Sequence, residues 1–220
     1  MSDLIAVEQA LSTSRLEPYI KAGGGGLAEG FELYEWNLSV SAAFFEVLAH
    51  LEVGVRNALH AQLVRLADRQ DWWASPRMVL TPIAVDMLDK AVAEVSRRSS
   101  PGGPDHVVAA LPFGFWAGLV SSGHRYNYEM TLWRPGLHRA FPGYRGTRSE
   151  LHLRLNTLRL LRNRIAHHEP IYRRHLAADH DTILMLSNWI MPAFARWMAS
   201  RSRVPDLLSS RPHSAGHSCR

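Results

Sequence analysis

Apolar residues recur three and four positions apart along most of the chain, and no run of short alternating strands bounded by hairpin turns interrupts them. The pattern predicts an all-α protein. A first helical region spans about Ile5 to Ala22, with Pro18 as a candidate break. The run Gly23-Gly24-Gly25-Gly26 ends it, because glycine costs about 1 kcal/mol relative to alanine in a helix interior. The longest helix is predicted over about Ala28 to Ala67, where Phe44, Leu48, Leu51, Val55, Leu59, Leu63 and Leu66 form one stripe facing a core. Beside that stripe Glu52, Arg56 and His60 lie four residues apart, with Asn57 adjacent; spacing alone makes them a salt-bridged solvent face.

Further helices are predicted from about Ile83 to Arg97, Thr147 to His168 and Leu176 to Ser200. The loop Ser99-Ser100-Pro101-Gly102-Gly103-Pro104 reads as surface, and the aromatic section from Leu111 to Tyr144 as short pieces packed mostly into the core. From Arg201 the chain is rich in Ser, Arg, Pro and His, which predicts a disordered basic tail. The expected organisation is an N-terminal helix and Gly-rich linker (1–26), a helical domain (27–200) and the tail (201–220).

One helix carries an unusual pattern. Placed at 100° intervals from Leu151, the residues Leu155, Leu158, Leu161 and Ile165 share one arc, while Leu153 and Leu160 lie nearly opposite. Between these flanks runs a polar ladder of His152, Asn156, Arg159, Asn163 and His167, a pattern that fits either a groove at an interface or an amphipathic helix with two exposed leucines. Arg162 falls inside the main apolar arc, where an unpaired guanidinium loses several kcal/mol of hydration, so it needs a partner. Glu169, Glu52 and a phosphate are the candidates. Pro170 disfavours helical geometry just before it, which ends the helix around His168. The helix dipole favours positive charge in the last turn, so a histidine there can give or take a proton near neutrality.

Composition narrows the chemistry. The chain has 220 residues, 46% of them apolar and 20% charged, enough for a substantial core without disulfides or metal. Its single cysteine, Cys219, excludes an intramolecular disulfide framework, and with no basic-then-apolar leader the expected address is the cytoplasm. The charge-free run His106 to His124 is broken by Pro112, Gly114, Gly118 and Gly123, so it reads as a buried segment and no membrane partner is expected. A formal charge of +5, with twelve histidines in reserve, tolerates anionic partners such as RNA.

Several chemistries find no motif. The glycine run lacks the Gly-Lys-Ser/Thr of a phosphate loop, and neither a nucleophilic-serine elbow nor a dinucleotide fingerprint occurs. His167, His168, Glu169, His175, His180 and Asp181 invite a metal-dependent hydrolase, but their order matches no such pattern, so no metal and no cofactor are expected. RNA supplies its own nucleophile, the 2′-hydroxyl. Its scission needs only a base, an acid and positive charge, which an arginine and a histidine provide. A two-fold dimer would double both groups and separate the acid from the base.

The stretch Arg162-Asn163-Arg164-Ile165-Ala166-His167 resembles the Arg-polar-x-x-x-His motif of the HEPN superfamily, and His168-Glu169-Pro170-Ile171 is similar to its Abi-like (abortive infection) branch. Leu33-Tyr34-Glu35-Trp36-Asn37, Leu51 to Ala58, Leu111 to Trp116 and Leu132-Trp133 resemble blocks of the same family in the same order, so the resemblance covers about Leu16 to Trp197. It implies an all-helical HEPN-like bundle with additional helices, usually a homodimer, and metal-independent endoribonuclease activity in phage defence or toxin systems. RNA and an antitoxin or regulatory partner are the implied partners. Carried over by position, Arg162 and His167 would be catalytic, and Asn163 would orient the histidine or the phosphate. Glu52, Arg56 and Asn57 would buttress the site. His168 and Glu169 match with open roles: ligand contact, helix-end stabilisation or dimer contact. The alternative is a noncatalytic module of the same family that binds RNA or a protein partner.

Overall fold

The computed structural model describes residues 2–97 and 102–212. Among them the protein is all-α, with no strand. Ten α-helices follow in order: α1 (Ser2–Leu11), α2 (Thr13–Gly23), α3 (Leu27–Ala67), α4 (Pro82–Ser96), α5 (Pro104–Ala110), α6 (Phe113–Leu119), α7 (Arg148–Ala166), α8 (Leu176–Ile190), α9 (Pro192–Arg201) and α10 (Val204–Ser209). Single turns of tighter or wider helix occupy the aromatic section between α6 and α7.

The chain divides into two compact units, one over Met1–Glu46, Arg164–His180 and Ser202–Arg220, the other over Val47–Asn163 and Asp181–Arg201. This differs from the expected partition at 26 and 200. The N-terminal helices belong with the first part of α3, and the borders fall inside α3, α7 and α8.

In the first unit, α1 and α2 are separated at Ser12, which takes a left-handed φ of 76°, and not at Pro18, which lies inside α2. A proline there forfeits one backbone bond and adds a local clash, and the helix continues past it. The glycine run does stop α2: Gly24 adopts φ 110° and donates to the Ile20 carbonyl. Leu16, Tyr19, Val40, Ile171, Tyr172 and Val204 are buried in this unit. Tyr19 packs edge-on to Tyr34 at 5.2 Å and tilted on Tyr172 at 5.1 Å. Burial pushes the Tyr19 hydroxyl up to about 12, against the pull of the Arg15 charge.

The expected disordered tail is corrected over its described part. Val204 is fully buried, α10 follows Arg203, and Trp36 donates through Nε1 to the Leu207 carbonyl at 2.7 Å. Arg203 pairs with Glu46. Residues 213–220, with Cys219, lie outside the described residues, as do Ser99, Ser100 and Pro101 of the predicted surface loop.

In the second unit the α3 stripe is buried as its spacing predicts, with Leu51, Val55, Leu59 and Leu63 at 0% exposure, and only its last member, Leu66, is half-buried. The helical stretch Leu27–Ala74 is long and apolar enough to cross a bilayer by length and composition. Thr81 caps α4 by accepting from the Ala84 N–H, with Pro82 in the first turn. The last long helix is divided at Met191, because Pro192 cannot continue it and instead starts α9. Gly54 admits Phe194: a Cβ there would sit 2.7 Å from its ring.

Candidate functional site

The residues singled out by the sequence fall in both units. In the second unit, α7 sets Leu155, Leu158 and Leu161 at 0% exposure, and Arg162 lies on that same arc. Its Nε stands 3.6 Å from Glu52 Oε2, too long for a hydrogen bond. Among the described residues two buried side-chain polar atoms lack a hydrogen-bond partner, Trp116 Nε1 and Arg162 Nε. The rest of the guanidinium reaches outward, since the Arg162 side chain is 37% exposed. Of the two protein partners the sequence allowed, Glu52 is the neighbour.

The expected salt-bridged face on α3 is not formed. Glu52 turns to Arg162, while Arg56 Nε donates to Asn57 Oδ1 at 3.2 Å. His60 accepts through Nδ1 from Nε1 of the buried Trp72, 3.1 Å away. Burial, opposed by Asp105 and aided by Arg56, holds His60 below the ordinary histidine range, which suits an acceptor nitrogen. On α7, Asn163 is half-buried, Asn156 Oδ1 accepts from Arg159 Nε at 3.0 Å, and burial beside Arg148 and Arg159 holds His152 low as well. The flanking Leu153 and Leu160 are 64% and 48% exposed.

In the first unit α7 ends at Ala166, two residues before the end that Pro170 predicts, and His167 follows it, exposed. His168 takes φ 56° and donates to the Ile165 carbonyl, and the Glu169 N–H donates to that of Arg164 at 2.8 Å. These two bonds form a Schellman closure with a histidine where glycine is usual. The Glu169 carboxylate pairs with Arg164 at 3.3 Å, and Arg15 donates to the His168 carbonyl.

The loop beyond is pinned by a residue whose role the sequence reading missed. Asn37, 2% exposed, accepts through Oδ1 from the N–H groups of Ile171 at 2.9 Å and Tyr172 at 3.1 Å. Tyr172 in turn donates to the Pro18 carbonyl at 2.8 Å. A signal was present: Leu33, Asn37, Val40 and Phe44 sit at helical spacing, so an amide occupies an apolar stripe. His175 and His180 are engaged locally, with the Ala178 N–H and the Ser202 hydroxyl. Among the described residues no three His, Cys, Asp or Glu side chains gather as a metal ion would need.

The structure thus brings together Glu52 with Arg162 and Arg56 with Asn57 in one unit, and sets His167, His168 and Glu169 on the closed end of α7 in the other. A cation with an unfulfilled donor can bind an anion, and an exposed imidazole can exchange protons with solvent or ligand. Comparison with protein-family models, curated proteins and solved structures found no match.

Proposed function

We propose that the protein is a metal-independent endoribonuclease of the Abi-like HEPN kind, a growth-arresting defence effector that works as a cytoplasmic homodimer. The observation that carries the reading is Arg162: a guanidinium rooted in an apolar helix face, with one donor unbonded and its carboxylate neighbour at 3.6 Å. A phosphodiester oxygen would satisfy that donor. His167, five positions on, supplies the titratable group. A base removes the 2′-hydroxyl proton, the oxygen attacks phosphorus, and an acid protonates the departing 5′-oxygen. The products are a 2′,3′-cyclic phosphate and a 5′-hydroxyl, and Arg162 offsets the charge gathered on the phosphorane. Asn163 orients the reacting groups, and Glu52, 3.6 Å away, balances the Arg162 charge until a phosphate takes its place.

Purified protein should cleave single-stranded RNA in EDTA and leave cyclic phosphate ends. Arg162→Ala and His167→Ala should each lose at least about a hundredfold in rate, within the range general acid–base and charge-stabilising groups supply. Intact RNA with the wild-type dimer overturns the reading. Undiminished RNA binding and toxicity in both variants would make the protein a noncatalytic module instead.

A further inference from the structure

The second unit carries two adjoining hollows that the cleavage motif does not use. One, of about 610 Å³, is lined by Arg134, Arg139, Arg145 and His138, with Glu129 as its carboxylate. Glu129 is already spent: Arg134 holds one oxygen at 3.0 Å and Arg148 the other at 2.9 Å, which keeps its carboxyl below the usual range. Arg145 is braced by the carbonyls of Pro142 and Tyr144 at 2.7 and 3.0 Å. His138 Nδ1 bonds the Trp133 carbonyl at 2.9 Å, and the exposed ring lines the hollow. Positive charge therefore exceeds negative, and it stands on exposed side chains.

The second hollow, of about 580 Å³, shares Arg139 and Pro142 with the first and contains no carboxylate. Its wall is apolar and aromatic. Trp197 is 45% exposed, lies edge-on to His50 at 4.8 Å and stacks near-parallel with Phe194 at 6.3 Å. The exposed Asn57, whose Oδ1 is taken by Arg56 Nε, keeps an amide NH2 able to bond a base edge.

A cationic hollow continuous with an aromatic one is the combination that grips single-stranded nucleic acid, with phosphates on the arginines and bases on the rings. We infer that this double hollow is a binding track for single-stranded RNA, separate from the Arg162–His167 motif, with a phosphate on Arg139 and its neighbours and a base against Trp197. The identity of the polymer rests on the nuclease reading. Each hollow alone has the size of a small-ligand pocket, so a mononucleotide fills one and leaves the other, whereas a strand occupies both. A second copy of the chain is a poorer occupant, since an isologous contact would face this cationic rim with itself.

The test uses a fluorescent 2′-O-methyl 12-mer, which lacks the attacking hydroxyl, with affinity read by anisotropy across a salt series. Wild type should bind with an affinity that falls as salt rises, about 0.7 in logarithmic slope per phosphate neutralised. Arg139→Glu should weaken binding about tenfold or more and flatten that slope; Trp197→Ala should weaken it by about five- to a hundredfold, with partial recovery in Trp197→Phe. Unchanged affinity in folded Arg139→Glu and Trp197→Ala overturns the inference, as does AMP competing as well as the 12-mer, or a change in dimer mass with RNA binding intact. The two readings fail separately. Cleavage with unaltered affinity in these variants sinks the track and spares the nuclease, while a track-dependent grip on the 12-mer without cleavage of ordinary RNA does the reverse.

Discussion

Asn37 and Arg162 are both polar side chains set into an apolar helix stripe, and the two differ in how completely their surroundings answer them. Asn37 is 2% exposed, and its oxygen accepts two backbone N–H groups at 2.9 and 3.1 Å. Arg162 has a buried donor with no hydrogen bond and a carboxylate that comes no closer than 3.6 Å. A buried polar group that is fully satisfied specifies a conformation; one left short is costly to keep and gains when a ligand arrives. The first unit thus uses its amide to build a loop, and the second keeps an arginine in reserve.

The widest separation between them should appear in paired substitutions. Arg162→Ala is expected to lower RNA cleavage by about a thousandfold, as the loss of a transition-state arginine does, while changing the unfolding free energy by no more than about 1 kcal/mol. Asn37→Ala should do the opposite. It strands two buried N–H groups, at about 1–3 kcal/mol each, so urea unfolding should show about 2–6 kcal/mol lost. A variant of Arg162 as unstable as that of Asn37 would make the arginine structural and erase the contrast.

How far the sequence shows this contrast depends on range. The bounds of α3 follow from its own spacing, and so do the buried positions Leu155, Leu158, Leu161 and Ile165 of α7, because each rests on residues one turn away. That Arg162 needs a partner is legible from its place on the arc. That the partner is Glu52 is not, since the pair is closed by packing across more than a hundred residues. Ser12 gave no sign of breaking a helix, as left-handed serine is uncommon, and α10 hid in a polar tail because Val204 is buried only by tertiary contact. The cationic and aromatic hollows are assembled from segments whose individual residues look like ordinary surface arginines and core aromatics.

Glu52→Gln sharpens the comparison on the arginine's side. Removing the competing charge but keeping an acceptor should lower KM for RNA several-fold without a fall in kcat, with steady-state cleavage as the measurement. A drop in kcat with unchanged KM would make the carboxylate a positioning group in the transition state.

The second unit should also be the more acid-sensitive. Burial lowers His60 and His152 below the ordinary value of 6.5, so the unfolded chain takes up their protons at higher pH than the folded one. Stability is then full above about 6.5 and declines as pH falls below it. Differential scanning at pH 7.5 and 5.5 should show a smaller fall in Tm for His60→Asn/His152→Asn than for wild type, and equal falls would remove both histidines from the account.

The smallest effect tests the end of α7. His168 holds φ 56° at the position that closes the helix, a conformation glycine adopts without the side-chain clash a histidine suffers. His168→Gly should therefore raise the unfolding free energy by a few tenths to about 1 kcal/mol. If the residue serves only to close the helix, RNA cleavage should be unaltered, because the backbone bonds to Ile165 and Arg164 involve no imidazole atom. Stability that rises while cleavage collapses would instead mean the strained histidine is kept for its ring, and would move His168 into the chemistry beside His167.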